Sequence, residues 1–343
     1  MKVQKAELLS ALSKVKPGLA KKEIVEQATH FIFAEGEIVT FNDQLCIMHP
    51  FECDAAFSVK GEEFFKIISN IAEEEFNMAV DDTTIKIKSK STKASLSTVI
   101  GEAATVTHLI EKIKAEISGK DFWKPLPKNF IDGLYLCAFS ASKDLATGVR
   151  ACVAIKGETA YSTDGLRASM FVYDGKIDEL LIPAKDALEL SKYKVKEYGI
   201  SDNWVHFRTK DGIIFNCKSM KGDYPYKSVH ALFEDGEPTI TFPETLREAV
   251  NAVIILAEGD VEINKIISVE VSNGKITCKA EKERGKIEKT VSFDYKGDDF
   301  TFIINPIFFN QILQHATGLN LYDEKAMFSS DNFWHVVALP LED

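Results

Sequence analysis

The side chains that could do chemistry here are acidic turns, scattered histidines and one hairpin unlike its surroundings. Paired carboxylates at Asp81-Asp82 and Asp298-Asp299 have the spacing for general acid–base work or for holding a cation. Both pairs fall in predicted turns, where Asp accepts hydrogen bonds from nearby backbone N–H groups, and that role accounts for them. His30, His49, His108, His206, His230, His315 and His335 lie far apart without triad-like context and read as packing or surface residues. The six cysteines, Cys46, Cys53, Cys137, Cys152, Cys217 and Cys278, show no CxxC pair and no histidines at zinc-ligand spacing, so reduced thiols and no metal site are expected. There is no GxxxxGK[ST] loop, no G-x-G-x-x-G, no G-x-S-x-G elbow and no HExxH helix. What remains is "AYSTDGLRAS", Ala160 to Ser169, where Asp164-Gly165 predicts a tight two-residue hairpin with positive φ angles. Asp164 is first a turn former there, and a hydrolase built on it is the distant alternative.

Length and composition bound the elements that hold this hairpin. The chain of 343 residues needs more than one core, and 45% hydrophobic with 27% charged content is that of a globular protein. The start "MKVQKAELLSAL" lacks the apolar block of a signal peptide and no later run reaches membrane-span length, so a cytoplasmic location without membrane association is expected. A net charge of −11 excludes a surface that is basic all over, but not lysines gathered on one face.

Internal similarity organises the rest. "VKGEEFFKII", "IPAKDALEL" and "INPIFFNQIL" each follow a β-like residue, with apolar positions in step: Val59, Phe64, Ile67; Ile182, Ala187, Leu190; Ile304, Phe309, Ile312. Acidic turns follow at Asp81, Asp202 and Asp323, 121 residues apart. Gly-centred hairpins precede at Gly36, Gly157 and Gly274, and amphipathic helices start before them at Leu8, Phe130 and Leu246. Pro127 and Pro243 stand shortly ahead of the last two starts, where helices tolerate proline. Linkers near 119–128 and 233–244 divide the chain into domains 1–121, 122–236 and 237–343. The fold class is α+β: three repeated domains, each with two helices packed on antiparallel sheets.

The motifs carry a resemblance. "YSTDGLRAS" resembles the Ala-Thr-Asp-Gly-His-Arg-Leu-Ala motif of the bacterial DNA polymerase III β subunit, the sliding clamp. "DGIIFNCKSMKGDYPYKSV" resembles the family stretch ending in Phe-Pro-Asp-Tyr-Arg-Arg-Val, and "TKASLSTV" is similar to its Phe-Ser-Leu-Ser-Thr-Leu strand. "HVVALPLED" looks like its Tyr-Val-Val-Met-Pro-Met-Arg-Leu ending. The matches fall in all three repeats. Leu166 stands where the family has His, the segment from Pro225 to Val229 is one residue shorter, and the tail differs, as in a divergent or phage-encoded clamp.

The resemblance implies DNA-clamp domains forming half of a ring, closed by a head-to-tail homodimer around duplex DNA held without sequence preference. It implies a non-catalytic processivity factor with no cofactor of its own, opened by a separate clamp-loader ATPase. It also implies a cleft in which the replicative polymerase and other clamp-binding-motif proteins dock a hydrophobic peptide: Thr163, Gly165, Leu166, Arg167 and Ala168, then Pro225 and Val229, then Val336, Val337, Leu339, Pro340 and Leu341. DNA-facing candidates are Lys14, Lys21, Lys22, Lys185 and Lys192, and ring-interface candidates are Ile254, Ile255 and Leu256. The competing reading is a clamp-fold binding scaffold that does not encircle DNA.

Overall fold

The structure, a computed structural model, describes all residues except Glu35, Asp54, Asp82, 100–104, Asp235, Asp260, Glu262, Ile263, Arg284 and 341–343. Eight helices form among the described residues: α1 Lys5–Val15, α2 Gly61–Asn70, α3 Thr105–Glu116, α4 Phe130–Ala138, α5 Ala184–Leu190, α6 Tyr226–His230, α7 Leu246–Val253 and α8 Pro306–Ile312. Six of them are the paired helices expected of three repeats; α3 and α6 are additional.

The sequence reasons are local. α1 buries Leu8, Ala11, Leu12 and Val15, and α7 buries Leu246, Ala249, Val250 and Val253, the same one-faced spacing in both. Each of these leucines and valines withdrawn from water contributes about 1.5–3 kcal/mol. Asn305 caps α8 by accepting from the N–H groups of Ile307 and Phe308, with Pro306 at the first helical position. In α2 the core position is Ile68 rather than Ile67, which is only half-buried, because the helix turns its Gly61, Phe64, Ile68 face inward.

The strands are β1 Lys2–Gln4, β2 His30–Ala34, β3 Glu37–Phe41, β4 Leu45–Pro50, β5 Phe57–Lys60, β6 Glu75–Asp81, β7 Thr84–Lys88 and β8 Lys93–Val99. They continue with β9 Lys124–Pro125, β10 Cys152–Thr163, β11 Arg167–Pro183, β12 Val195–Ile200, β13 Trp204–Thr209, β14 Ile214–Lys218 and β15 Ile240–Thr241. The last are β16 Ile267–Ser272, β17 Lys275–Lys282, β18 Gly285–Ser292, β19 Phe300–Ile304, β20 Gly318–Leu321, β21 Lys325–Ser330 and β22 Phe333–Ala338. The glycines at the repeated hairpins, Gly36, Gly157 and Gly274, take φ of 77°, 64° and 69°, a conformation open to glycine at little cost.

The chain divides into two compact units, Met1–Ile131 with Leu180–Lys221, and Asp132–Glu179 with Gly222–Asp343. The first holds a twelve-stranded sheet in the order β1-β6-β7-β8-β5-β2-β3-β4-β14-β13-β12-β9. The second is built on a six-stranded sheet, β10-β11-β22-β21-β20-β15, and a four-stranded one, β18-β17-β16-β19. Strands of different repeats join twice, at β4–β14 in the first unit and β11–β22 in the second, both antiparallel. Among the described residues no helix is long and apolar enough to cross a membrane.

Candidate functional site

At the β11–β22 junction the hairpin sets one wall of a groove of about 620 Å³. Its loop is three residues long, Asp164 to Leu166, and only Gly165 has a positive φ, 96°, so the expected two-residue turn is not formed. The Asp164 side chain closes the loop instead: Oδ1 accepts from the N–H groups of Leu166 at 3.0 Å and Arg167 at 3.1 Å. Thr163 Oγ1 accepts from the Gly165 N–H and donates to the Arg167 carbonyl.

Arg167 is turned into the protein. Its guanidinium pairs with Asp164 at 3.0 Å, donates to Gln311 at 2.8 Å and to the Phe139 carbonyl at 2.6 Å, and lies 4.0 Å over the Phe308 ring. Burial lowers its pKa while Asp164 pushes back. Its donors are therefore engaged in holding the hairpin, and its exposed edge alone reaches the groove. Leu166 is 44% exposed at the rim.

Thr163, Gly165, Leu166, Arg167, Ala168 and Val336 all line this groove. The other expected residues do not: Val229 and Val337 are buried, Pro225 is exposed, and Leu339, whose N–H donates to the carbonyl of the lining residue Glu324, and Pro340 are not part of the lining. Leu341 lies outside the described residues. The structure adds Leu232, Glu234 and Ala338 with the β20–β21 turn, Tyr322 to Lys325. Asp323 was legible as a repeated turn, but nothing in the sequence places that turn beside the hairpin. Lys325 pairs with Glu234 at 2.7 Å, donates to the Leu232 carbonyl at 3.0 Å and lies over Tyr322. Its hydrogen bond holds the Glu234 carboxyl below the usual range. The groove thus has apolar walls and an acidic rim of Glu234, Asp323 and Glu324.

The β4–β14 junction repeats this construction. Cys46 pairs with Asn216 and Ile47 with Phe215, as Ala168 pairs with Val336 and Ser169 with His335. Asn42 Oδ1 accepts from the N–H groups of Gln44 at 3.1 Å and Leu45 at 2.8 Å, as Asp164 does two strands into the next repeat. Asp43 takes the positive φ, 71°, that Gly165 takes in the other loop. Here, however, the corresponding face is covered. Ile110 and Ile113 of α3 join Ile32, Val39, Phe41, Cys46 and Met48 in one buried cluster, with Leu109 and Trp204 packed against it.

A second concavity, about 560 Å³, gathers lysines in the first unit: Lys14, Lys192, Lys194, Lys196 and Lys210 surround Tyr193 and Ile213. Lys192 pairs with Glu189, Lys14 lies over the Tyr193 ring, and the Tyr193 hydroxyl donates to the Lys14 carbonyl. Lys21, Lys22 and Lys185 are exposed but do not reach it. Lys194 and Lys196 escaped notice because they alternate with buried Val195 and read as an ordinary strand. Ile254 to Leu256 form a short 3-10 turn in which Ile255 is 76% exposed, and Leu256 reaches the edge strand β18 near Gly285.

Among the described residues no group of three or more His, Cys, Asp or Glu could hold a metal ion. The nearest to a catalytic arrangement is buried: Ser169 Oγ lies 2.8 Å from His335 Nδ1 and bonds Ser140, in a place without access to solvent.

A scan against protein-family models finds no match, and neither does a search of curated protein sequences. Solved structures do match. The β subunit of DNA polymerase from Streptococcus pyogenes superposes with a TM-score of 0.79 at 16% identity, covering 99% of both chains. The sliding clamp of Pseudomonas aeruginosa, bound to griselimycin, gives 0.79 at 16% identity over 100% of this chain and 99% of its own. The DNA polymerase sliding clamp of Bacillus subtilis gives 0.78 at 14% identity with the same coverage. From end to end, and despite that distance in sequence, this chain has the fold of the DNA polymerase III beta sliding clamps.

Proposed function

We propose that this chain is a DNA polymerase processivity factor, a sliding clamp whose domains 1–121, 122–236 and 237–343 make half of a ring around duplex DNA. The observation that carries the reading is the open groove beside the Asp164 hairpin in a chain that has the clamp fold throughout. Two copies close head to tail, with the edge strand β18 and the exposed Ile255 beside it as one side of the seam. Lys14, Lys192 and the lysines around them attract phosphates without reading bases, which lets the ring slide because each register along the duplex presents nearly the same charge. The protein acts in the cytoplasm, as a non-catalytic subunit, and a separate ATPase loads it.

The groove recruits the polymerase and other partners through a short peptide with a few apolar anchors, which carry most of the energy of such contacts. Its rim of Glu234, Asp323 and Glu324 selects peptides with a basic flank. The test is encirclement. Protein at micromolar concentration is incubated with nicked circular duplex, freed of unbound chains by gel filtration, and the DNA is then cut once. A mass near twice 38.3 kDa in sedimentation and release on linearisation are expected. A monomer that never distinguishes circular from linear DNA would leave a binding scaffold instead.

A further inference from the structure

We propose that the lysine-lined concavity of the first unit is a seat for an unpaired nucleotide, held by its phosphates on the lysines and by a hydrogen bond from its base edge to Asp211. It rests on the DNA-facing reading of Lys14 and Lys192, but the ligand here is a strand whose bases are free rather than a duplex. The chain has a net charge of −11, yet Lys14, Lys192, Lys194, Lys196 and Lys210 surround one hollow of about 560 Å³ whose lining holds a single carboxylate, Asp211. That volume is in the range of small-molecule sites. A B-form duplex, whose major groove alone is about 12 Å wide, can lay a row of phosphates along the rim of such a hollow but cannot enter it. An unstacked nucleotide can.

Local structure fixes each group. Lys14 stands in the last turn of α1, its carbonyl accepting from the Tyr193 hydroxyl and its ammonium 5.2 Å from the centre of that ring. Lys194 and Lys196 flank buried Val195 and share the exposed face of the strand. Lys210 and Asp211 lie in the turn after β13, which Thr209 Oγ1 closes by accepting from the Ile213 N–H at 2.9 Å, with Gly212 at a φ of 88°. A hydrogen bond from Thr209 holds the Asp211 carboxyl below the usual range, so at neutral pH it is ionised and accepts only. Lys192 pairs with Glu189 in the exposed setting where an ion pair contributes little and yields to a phosphate. For a duplex sliding past, Asp211 only repels. Against an unpaired base it is useful: every base carries an N–H donor on its pairing edge, free only when the base has no partner, so the carboxylate separates unpaired from paired without choosing a sequence. Tyr193 and Ile213, beneath the lysines, give the base an apolar floor, and the lysine stems give it walls.

Fluorescence anisotropy with the full chain and a labelled ten-residue oligothymidylate, at about 50 mM salt, reads the seat directly. The oligomer is expected to bind roughly 10-fold more tightly than a duplex of the same length, and roughly 10-fold more tightly than an abasic strand of equal charge, the scale of one base contact. Lys194→Gln together with Lys196→Gln should weaken it roughly 10-fold and flatten its salt dependence by about 1.4 in slope, 0.7 for each lysine lost. Asp211→Ala should bring the thymidylate down to the level of the abasic strand while the abasic strand binds as well as before or better, since a repelling charge has gone. Equal affinity for all three ligands on the unaltered chain would make the lysines a surface for any polyanion and end the proposal; that comparison also decides if a variant does not fold. Competition by dTTP at about 1 mM separates the two sources of such a nucleotide: displacement shows that a free nucleotide enters the seat, persistence that the strand is required. Retention on nicked circles is scored with the same preparations. A chain that encircles duplex and shows no preference for the unpaired strand keeps the clamp reading and loses the seat; one that prefers the strand without encircling keeps the seat and loses the ring.

Discussion

The two junction hairpins have the same backbone and opposite interiors. At the first, Phe41, Leu45 and Trp204 supply bulk, and α3 packs on the strands beside the exposed loop; at the second, Thr163, Arg167 and Lys325 stand in their places, and the wall is left open. Leu45 is 4% exposed and Arg167 6%, so burial is conserved while chemistry is exchanged. Repetition therefore copies a frame, and a few side chains decide whether that frame is filled from within or offered outward.

The strongest way to break the comparison is at the buried arginine. Arg167→Ala strips Asp164 and the Phe139 carbonyl of their partner and should cost about 3–5 kcal/mol, the penalty of leaving one half of a buried pair. Leu45→Ala, its counterpart, should cost about 2–5 kcal/mol by cavity formation alone. Urea unfolding of both, with 1 M salt added, separates them: salt should leave the leucine variant's deficit unchanged. A loss under 1 kcal/mol at Arg167 would mean that the guanidinium serves the partner and not the hairpin.

Leu166→Asp tests the outward-facing side. Placed at the rim with its backbone N–H already bonded to Asp164, the new carboxylate should reduce binding of apolar hexapeptides at least 100-fold while the unfolding midpoint stays within about 0.5 kcal/mol. Gln44→Asp, at the matching exposed position of the first hairpin, should change neither. Equal binding by the two variants would place the peptide elsewhere.

How far the sequence could be read follows from the range of the interactions. Helices α1, α4 and α7 and the three glycine hairpins were legible because the spacing of a few neighbours determines them, and three copies reinforce one another. The Asp164 loop was legible as a turn but not as a three-residue one, since a side chain, not the backbone, closes it. α3 has three apolar anchors, and its counterpart one repeat on, α6, is only five residues long, so its periodicity did not stand out. Leu232 and Lys325 join the groove through pairings with residues about 100 positions away in sequence, and no local pattern announces that.

Acid should loosen the second junction. An ordinary histidine takes up a proton near pH 6.5, but burial, seconded by Arg167, holds His335 well below that in the folded chain. Below about pH 6.5 the unfolded state then binds more protons than the folded one. Stability complete above that pH is lost as the pH falls, by up to about 2 kcal/mol between pH 6.5 and 5. His335→Phe, which copies Phe215 at the same register of the first junction, should flatten this slope. His30, His206 and His315, lowered by burial in the same direction, will retain part of it. An unchanged slope in the variant would assign the acid sensitivity to those three.

The smallest expected effect bears most directly on whether the two loops are one design. Each needs a residue in the left-handed region at its second position, and the chain uses Asp43 in one and Gly165 in the other. Asp tolerates that conformation better than most side chains, whereas a Cβ there costs roughly 1–2 kcal/mol in general. Gly165→Ala should therefore destabilise by about 1 kcal/mol, because the nearest atom, Arg150 Nη1 at 3.6 Å, leaves space and only the backbone objects. Asp43→Gly should fall within about 0.5 kcal/mol of zero: relief of the same strain is offset by a more flexible unfolded chain and by the loss of an exposed pair with Lys218. Opposite signs or equal costs in thermal denaturation would mean that the loops differ in backbone as well as in filling, and that only the strand register is shared.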